Sequence, residues 1–306
     1  MPTATYTLPY GIAAPGGRLP DDTHIGMVRL QVSDLARSID YYQTVLGFRV
    51  ISGSAERAVL GAMGDDEALL ELNELAGAHP LPPRGRLGLY HFAILLPDRA
   101  SLGRFIGHLR TIGAAPGTSD HLVSEAVYLR DPDGLGIEVY ADRPRHTWRI
   151  ENQQVAMATE PLDLESLLLA AGDTPWTGFP AGTRIGHVHL TVGDLREAER
   201  FYHAGLGLDK VVWSYPGALF LSAGGYHHHV GTNTWAAAAP RASEDDARLL
   251  DWSLVLPSHA DAARVARRLA DRGERVEEDG SGWVAADPWG TRVRIVSSPS
   301  ERQPRR

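Results

Sequence analysis

Cysteine is absent from the 306 residues. That excludes disulfides, zinc ribbons, thiolate nucleophiles and iron–sulfur clusters in one step, and a reducing, cytoplasmic setting fits it best. No apolar run approaches the roughly 20 residues that a membrane helix needs, so no membrane partner is expected. The opening stretch, MPTATYTLPYGIAAPGGRLPDD, has no basic start followed by an apolar core. It reads as a Pro/Gly arm and not as a signal peptide. Positive charge is short as well: 30 Lys and Arg against 38 Asp and Glu leave a net charge of −8. A nucleic-acid groove needs a basic face, and the short basic tail after Glu301 does not supply one. Gly-rich phosphate loops, GxSxG elbows, HExxH helices and dinucleotide fingerprints are missing too. His121 and Glu125 stand four apart, but in a loop-and-strand segment where that spacing does not converge.

What the chain does have is repetition. MVRLQVSDLARSIDYYQTVLGF (27–48) aligns with HVHLTVGDLREAERFYHAGLGL (187–208) at an offset of 160. The same offset relates HFAILLPDRASLGRFIGHLRTIG (91–113) to DWSLVLPSHADAARVARRLADRG (251–273). Each copy reads as an alternating strand followed by a helix. In 27–48 and its copy the helix starts at Asp34 or Asp194 and is closed by Gly47 or Gly207. Strand-like runs follow every helix. Asp131-Pro132-x-Gly134, a turn between YLR and GIEVY, is echoed by Asp287-Pro288-x-Gly290. The expectation is four βαβββ units in an α+β fold, two in a first domain over 21–141 and two in a second over 183–298. A linker over 142–182 holds a short helix near 162–172.

Equivalent positions differ in a telling way. The inward site of each unit's first strand holds Met27, His91, His187 and Asp251 in turn. The matching last-strand site holds Leu69 or Glu71, then Glu138, then one residue of His227–His229, then Arg294. A lone histidine on a strand is ordinarily structural, and Glu138 in GIEVY faces either water or a cavity that needs negative charge. Two histidines and a carboxylate at equivalent repeat positions favour the cavity. His229 fits the third unit's last-strand site, as a fourth ligand or an acid/base. His189 shares a face with His187. His24, His79, His108, His146, His203 and His259 read as surface or structural side chains.

The segments HVHLTVGDL, LYHFAILLPD, YLRDPDGLGIEVYADRP and GGYHHHVGTNTW resemble the vicinal oxygen chelate superfamily of glyoxalases, bleomycin-resistance proteins and extradiol dioxygenases. Within it, the chain is similar to two-domain bacterial catechol 2,3-dioxygenase-like proteins. The resemblance implies paired βαβββ units curled into cup-shaped mixed sheets, forming two vicinal-oxygen-chelate domains. It also implies a divalent metal, iron(II) with manganese or zinc as substitutes, held by His91, His187 and Glu138. Tyr128 matches the tyrosine ten residues before the glutamate in extradiol enzymes, and His121 stands near their catalytic histidine. The implied catalytic set is therefore His229, His121 and Tyr128, acting on a small aromatic diol and dioxygen. No nucleic acid or membrane is implied, and a homo-oligomer is left open. Ligands from units two and three require those inner units to share one cup, with Met27, Asp251 and Arg294 leaving the other without a metal. Two alternatives remain: a metal-dependent glyoxalase-type isomerase or lyase with His229 as fourth ligand, and a non-catalytic protein that sequesters an aromatic compound.

Overall fold

The Asp131-Pro132-Asp133-Gly134 turn ties two repeat units together in the computed structural model, which describes residues 10–298. The first nine residues of the N-terminal arm and the basic tail lie outside that range. Gly134 takes φ 85° and donates to the Asp131 carbonyl at 2.9 Å, as a tight turn requires. The Asp131 carboxylate accepts from the Asp133 and Leu135 N–H groups at 2.9 and 2.8 Å and from the Tyr42 hydroxyl at 3.2 Å. Asp133 accepts from the Ser33 N–H and hydroxyl at 2.8 and 2.6 Å. The hairpin of the second unit is thus clamped to the helix start of the first. Asp287 repeats the arrangement, accepting from Trp289, Thr291 and the Tyr202 hydroxyl at 2.9, 2.8 and 2.8 Å.

The Asp-led helices form as their sequences suggest. Asp34 caps Leu35–Tyr41 by accepting from the Arg37 N–H, and wider turns continue it through Tyr42–Leu46 to Gly47 at φ 89°. Asp194 caps Leu195–Ala198 in the same way, and wider turns over Glu199–Leu206 end at Gly207. The linker helix runs over Leu164–Ala171 behind Asp163. It crosses helix Arg99–Thr111 at Gly103, where a Cβ would meet the Leu167 carbonyl oxygen at 2.1 Å.

Two eight-stranded mixed sheets result. One runs Asp209–Val212, Ala218–Ser222, Val230–Asn233, Arg184–Thr191, Gly88–Leu96, Gly136–Asp142, Ser124–Arg130 and Gly117–Asp120. It joins the third unit to the second. The other joins the fourth to the first, with Arg248–Leu256 antiparallel to His24–Val32 at its centre. Neither cup coincides with one half of the sequence: each takes one unit from 21–141 and one from 183–298. Alternation gives each central strand a helix-facing apolar side, such as Phe92, Ile94, Ile137, Val139, Val188 and Leu190, in one continuous core. The opposite faces of the inner-unit sheet carry His91, Glu138 and His187.

Candidate metal centre

Register places the candidate ligands. In the second unit Ala93 pairs with Glu138 across parallel strands, so Glu138 lies beside the strand that carries His91 two residues earlier. His187 pairs with Ala93 from the other side, after a bulge at Gly186. Gly186 is required there, since a Cβ would fall 1.8 Å from the Tyr140 hydroxyl oxygen. Glu138 Oε2 lies 2.9 Å from His91 Nε2 and 3.2 Å from His187 Nε2, and the two imidazole nitrogens are 3.4 Å apart. Ligands on adjacent corners of an octahedron, each about 2.1 Å from the metal, would be separated by about 3 Å. The donor triangle therefore fits three positions on one face of a divalent cation. This is the single group of three or more potential ligands among the described residues.

All three side chains are buried. Burial pushes the Glu138 carboxyl up, but the His187 and His91 imidazoles beside it win and hold it well below the usual carboxylate range. Burial lowers His187 to about 4, so its ring is neutral. A carboxylate and neutral imidazoles are the forms that ligate. His187 Nδ1 is buried without a hydrogen-bond partner, unlike the usual supported metal-binding imidazole.

A cavity of about 280 Å³ reaches two members of the triad, His91 and Glu138, and is lined also by Tyr128, His121, His189 and His228. Tyr128 sits directly across the hairpin from Glu138, which is the structural meaning of its ten-residue spacing. His121 Nδ1 is 2.7 Å from the Ala158 carbonyl, which can only accept, so Nδ1 carries a proton. In the neutral ring Nε2 then accepts from the Tyr128 hydroxyl at 2.5 Å. Burial, followed by the charge of Glu138, raises Tyr128 well above its ordinary value. His189 packs among His91, Tyr90, Trp235 and Phe220, with ring centroids 5.0 to 5.6 Å away.

His229 is a correction. The third unit's last-strand site, defined by the same pairing as Ala93 with Glu138, is His189 with Gly231. A Cβ on Gly231 would lie 3.0 Å from the His189 ring, so glycine there makes room for that imidazole. His229 precedes the strand and lines a different, polar cavity with Arg184, Tyr226 and Asp22. Its Nδ1 accepts from the Ala223 N–H at 3.1 Å, and burial lowers its pKa to about 3. His228 takes the place expected of it: its ring centroid is 4.0 Å from that of His187, on the cavity wall. Met157, Ala158 and Thr159, from the segment read as a linker, also line the cavity, and nothing in the sequence signals that.

In the outer-unit cup Met27 offers no charge, and the charged residues at the other equivalent positions are tied up in ion pairs. Asp251 lies 2.7 Å from Arg29 and 3.0 Å from Arg294, and Glu71 pairs with Arg57 at 2.5 Å.

Comparison with known proteins matches residues 24–139 and 184–295 to the family described as Glyoxalase/Bleomycin resistance protein/Dioxygenase superfamily. The chain belongs to that superfamily. Among its members, a protein named Catechol-2,3-dioxygenase from Bacillus subtilis (strain 168) is 46% identical over 272 residues, covering 88% of this chain and 95% of the relative. Of solved structures, glyoxalase I from Zea mays superposes with a TM-score of 0.54 at 18% identity, over 90% of this chain and 92% of the other. The cppA protein from Streptococcus pneumoniae TIGR4 gives 0.52 at 10% identity, over 90% and 98%. At such identities these two structures speak to the superfamily fold alone.

Proposed function

We propose that this ring-cleaving dioxygenase opens an uncharged, single-ring catechol with dioxygen, using iron(II) held by His91, Glu138 and His187. The observation that carries this reading is the facial triangle of one carboxylate and two imidazoles, with Glu138 and His91 exposed to an otherwise largely apolar cavity. The catechol-2,3-dioxygenase relative supports the choice of diol. Bound there, the metal would offer adjacent open positions to both reactants and the redox route between them, which zinc does not supply.

The chain's own groups bind the diol and handle its protons. His228 is neutral, since burial and then the neighbouring His187 keep its pKa well below the ordinary value. It can accept a proton from a diol hydroxyl and return one later. Tyr128 keeps its proton, because burial and then the charge of Glu138 raise it well above its ordinary value, and its oxygen can receive a hydrogen bond from the diol. Both atoms of dioxygen enter the product as the ring opens.

Cavity size and charge narrow the substrate. About 280 Å³ stands at the low end of ligand pockets, which run to roughly 1,000 Å³. Met157, Tyr215, Phe220 and Trp235 supply its apolar wall, and no Lys or Arg lines it among the described residues. Arg130 lines an adjoining pocket behind Tyr90, His91 and Tyr128, and donates to the Gly134 carbonyl at 2.8 Å. A carboxylate on the substrate would find no cation in the main cavity. The glyoxalase-type alternative depended on His229 as fourth ligand, and the equivalent site is Gly231.

Paired substitutions test the assignment. His228→Gln should keep its iron and turn over roughly 10²–10⁴-fold more slowly, the usual worth of a positioned acid–base group. His229→Gln should keep both iron and rate. The reverse pattern would return the role to His229.

A further inference from the structure

His228 presents one edge to the cavity and the other to a chain of polar groups behind it. We propose that Asp142 and His227 are positioning residues that hold His228 in the tautomer with its proton on Nδ1, leaving Nε2 unprotonated toward the cavity. Asp142 ends the strand that carries Glu138. Its Oδ1 lies 2.9 Å from His227 Nε2 and 3.1 Å from the Tyr226 hydroxyl, which in turn is 2.7 Å from the Tyr140 hydroxyl. His227 Nδ1 lies 2.8 Å from His228 Nδ1.

Donor and acceptor roles follow from Asp142 outward. An ionised carboxylate only accepts, so His227 Nε2 must carry a proton. A neutral imidazole protonated at Nε2 has its lone pair on Nδ1. His228 Nδ1 faces that lone pair and must donate. The proton of His228 is thereby committed, and Nε2 is the ring's remaining polar atom. The Tyr226 hydroxyl donates to the same carboxylate and accepts from Tyr140, which orients the acceptor. His227 is fully buried, so no solvent competes for its nitrogens. Were Asp142 neutral or His227 a cation, the chain would run the other way and His228 would point an N–H into the cavity. A ring in that state cannot take a proton from a diol. The consequence for turnover rests on the function proposed above, whereas the tautomer itself does not.

Nitrogen-15 spectra of histidine-labelled, metal-free protein at neutral pH read the tautomer directly. His228 should be protonated at Nδ1. His227→Phe, which keeps a ring but removes the acceptor, should abolish that preference. In the iron-loaded enzyme it should lower kcat about 10–100-fold, the usual effect of losing an orienting partner, with KM nearly unchanged. His227→Asn places an amide oxygen near the former Nδ1 and should restore both the tautomer and most of kcat. A wild-type His228 protonated at Nε2 overturns the proposal, as does His227→Phe with the tautomer unchanged. If His227→Phe does not fold, the wild-type spectrum decides alone. A wild-type enzyme that cleaves no diol but shows the Nδ1–H form would sink the proposed reaction and leave this assignment standing.

Discussion

Glu138 is a buried carboxylate whose charge is sustained by two imidazoles within 3.2 Å. Glu138→Gln preserves the shape and removes the charge, so the protein should fold and lose its metal. His187→Ala should do the same, because no other ligand-grade side chain among the described residues groups with the remaining pair. Metal analysis with circular dichroism checks both, and a fully loaded His187→Ala would contradict the ligand set. The proposed ligands drew attention in the sequence because duplication places them at matching strand sites where the other copies have Met27, Asp251 and Arg294. His229 could not be placed that way. The run Ala223–His229 is a turn, with Gly224 and Gly225 at φ 57° and 63°, and the strand begins at Val230. Alternation holds only within a strand, so counting through the turn put the slot two residues too early.

At the scale of elements, the site depends on how closely its strands approach. Gly136 stands two residues before Glu138, and a Cβ there would meet the Tyr90 carbonyl oxygen at 2.0 Å. Backbone cannot yield as a side chain can. Gly136→Ala should push Gly136–Asp142 off Gly88–Leu96, costing about 1–3 kcal/mol in urea unfolding and weakening metal binding in a calorimetric titration. Unchanged stability and affinity would show that the strands carry slack. Helix caps and turns were legible, because Asp34, Asp194, Gly134 and Gly290 act on their immediate neighbours. The linker's part was not. His121 meets Ala158 and Asp120 pairs with Glu160 across long stretches of chain, through backbone groups that any residue type could provide.

Across the whole molecule, the pairing of inner with inner and outer with outer units gives one cup built for a cation and one locked by Arg29, Asp251 and Arg294. The triad demanded that pairing from the sequence, and the strand order has it. Concentrating histidines in one cup has a cost in acid. Burial lowers His187 to about 4 and His229 to about 3, and lowers His189 and His228 well below the ordinary value. An unfolded chain would bind those protons near pH 6.5, so the folded state binds fewer as pH falls below that point. Stability should therefore be full above about pH 6.5 and fall steeply toward pH 4, by up to about 5 kcal/mol per pH unit if all four contribute. Urea titrations across that range check this, and a flat profile would mean that the rings are solvated or paired. The reaction itself is tested most directly by an oxygen-electrode assay of anaerobically iron-loaded protein with catechol under isotopically labelled dioxygen. One dioxygen should be consumed per diol, with both labelled atoms in a ring-opened product. Iron bound in full, with catechol present and no oxygen taken up, would contradict it.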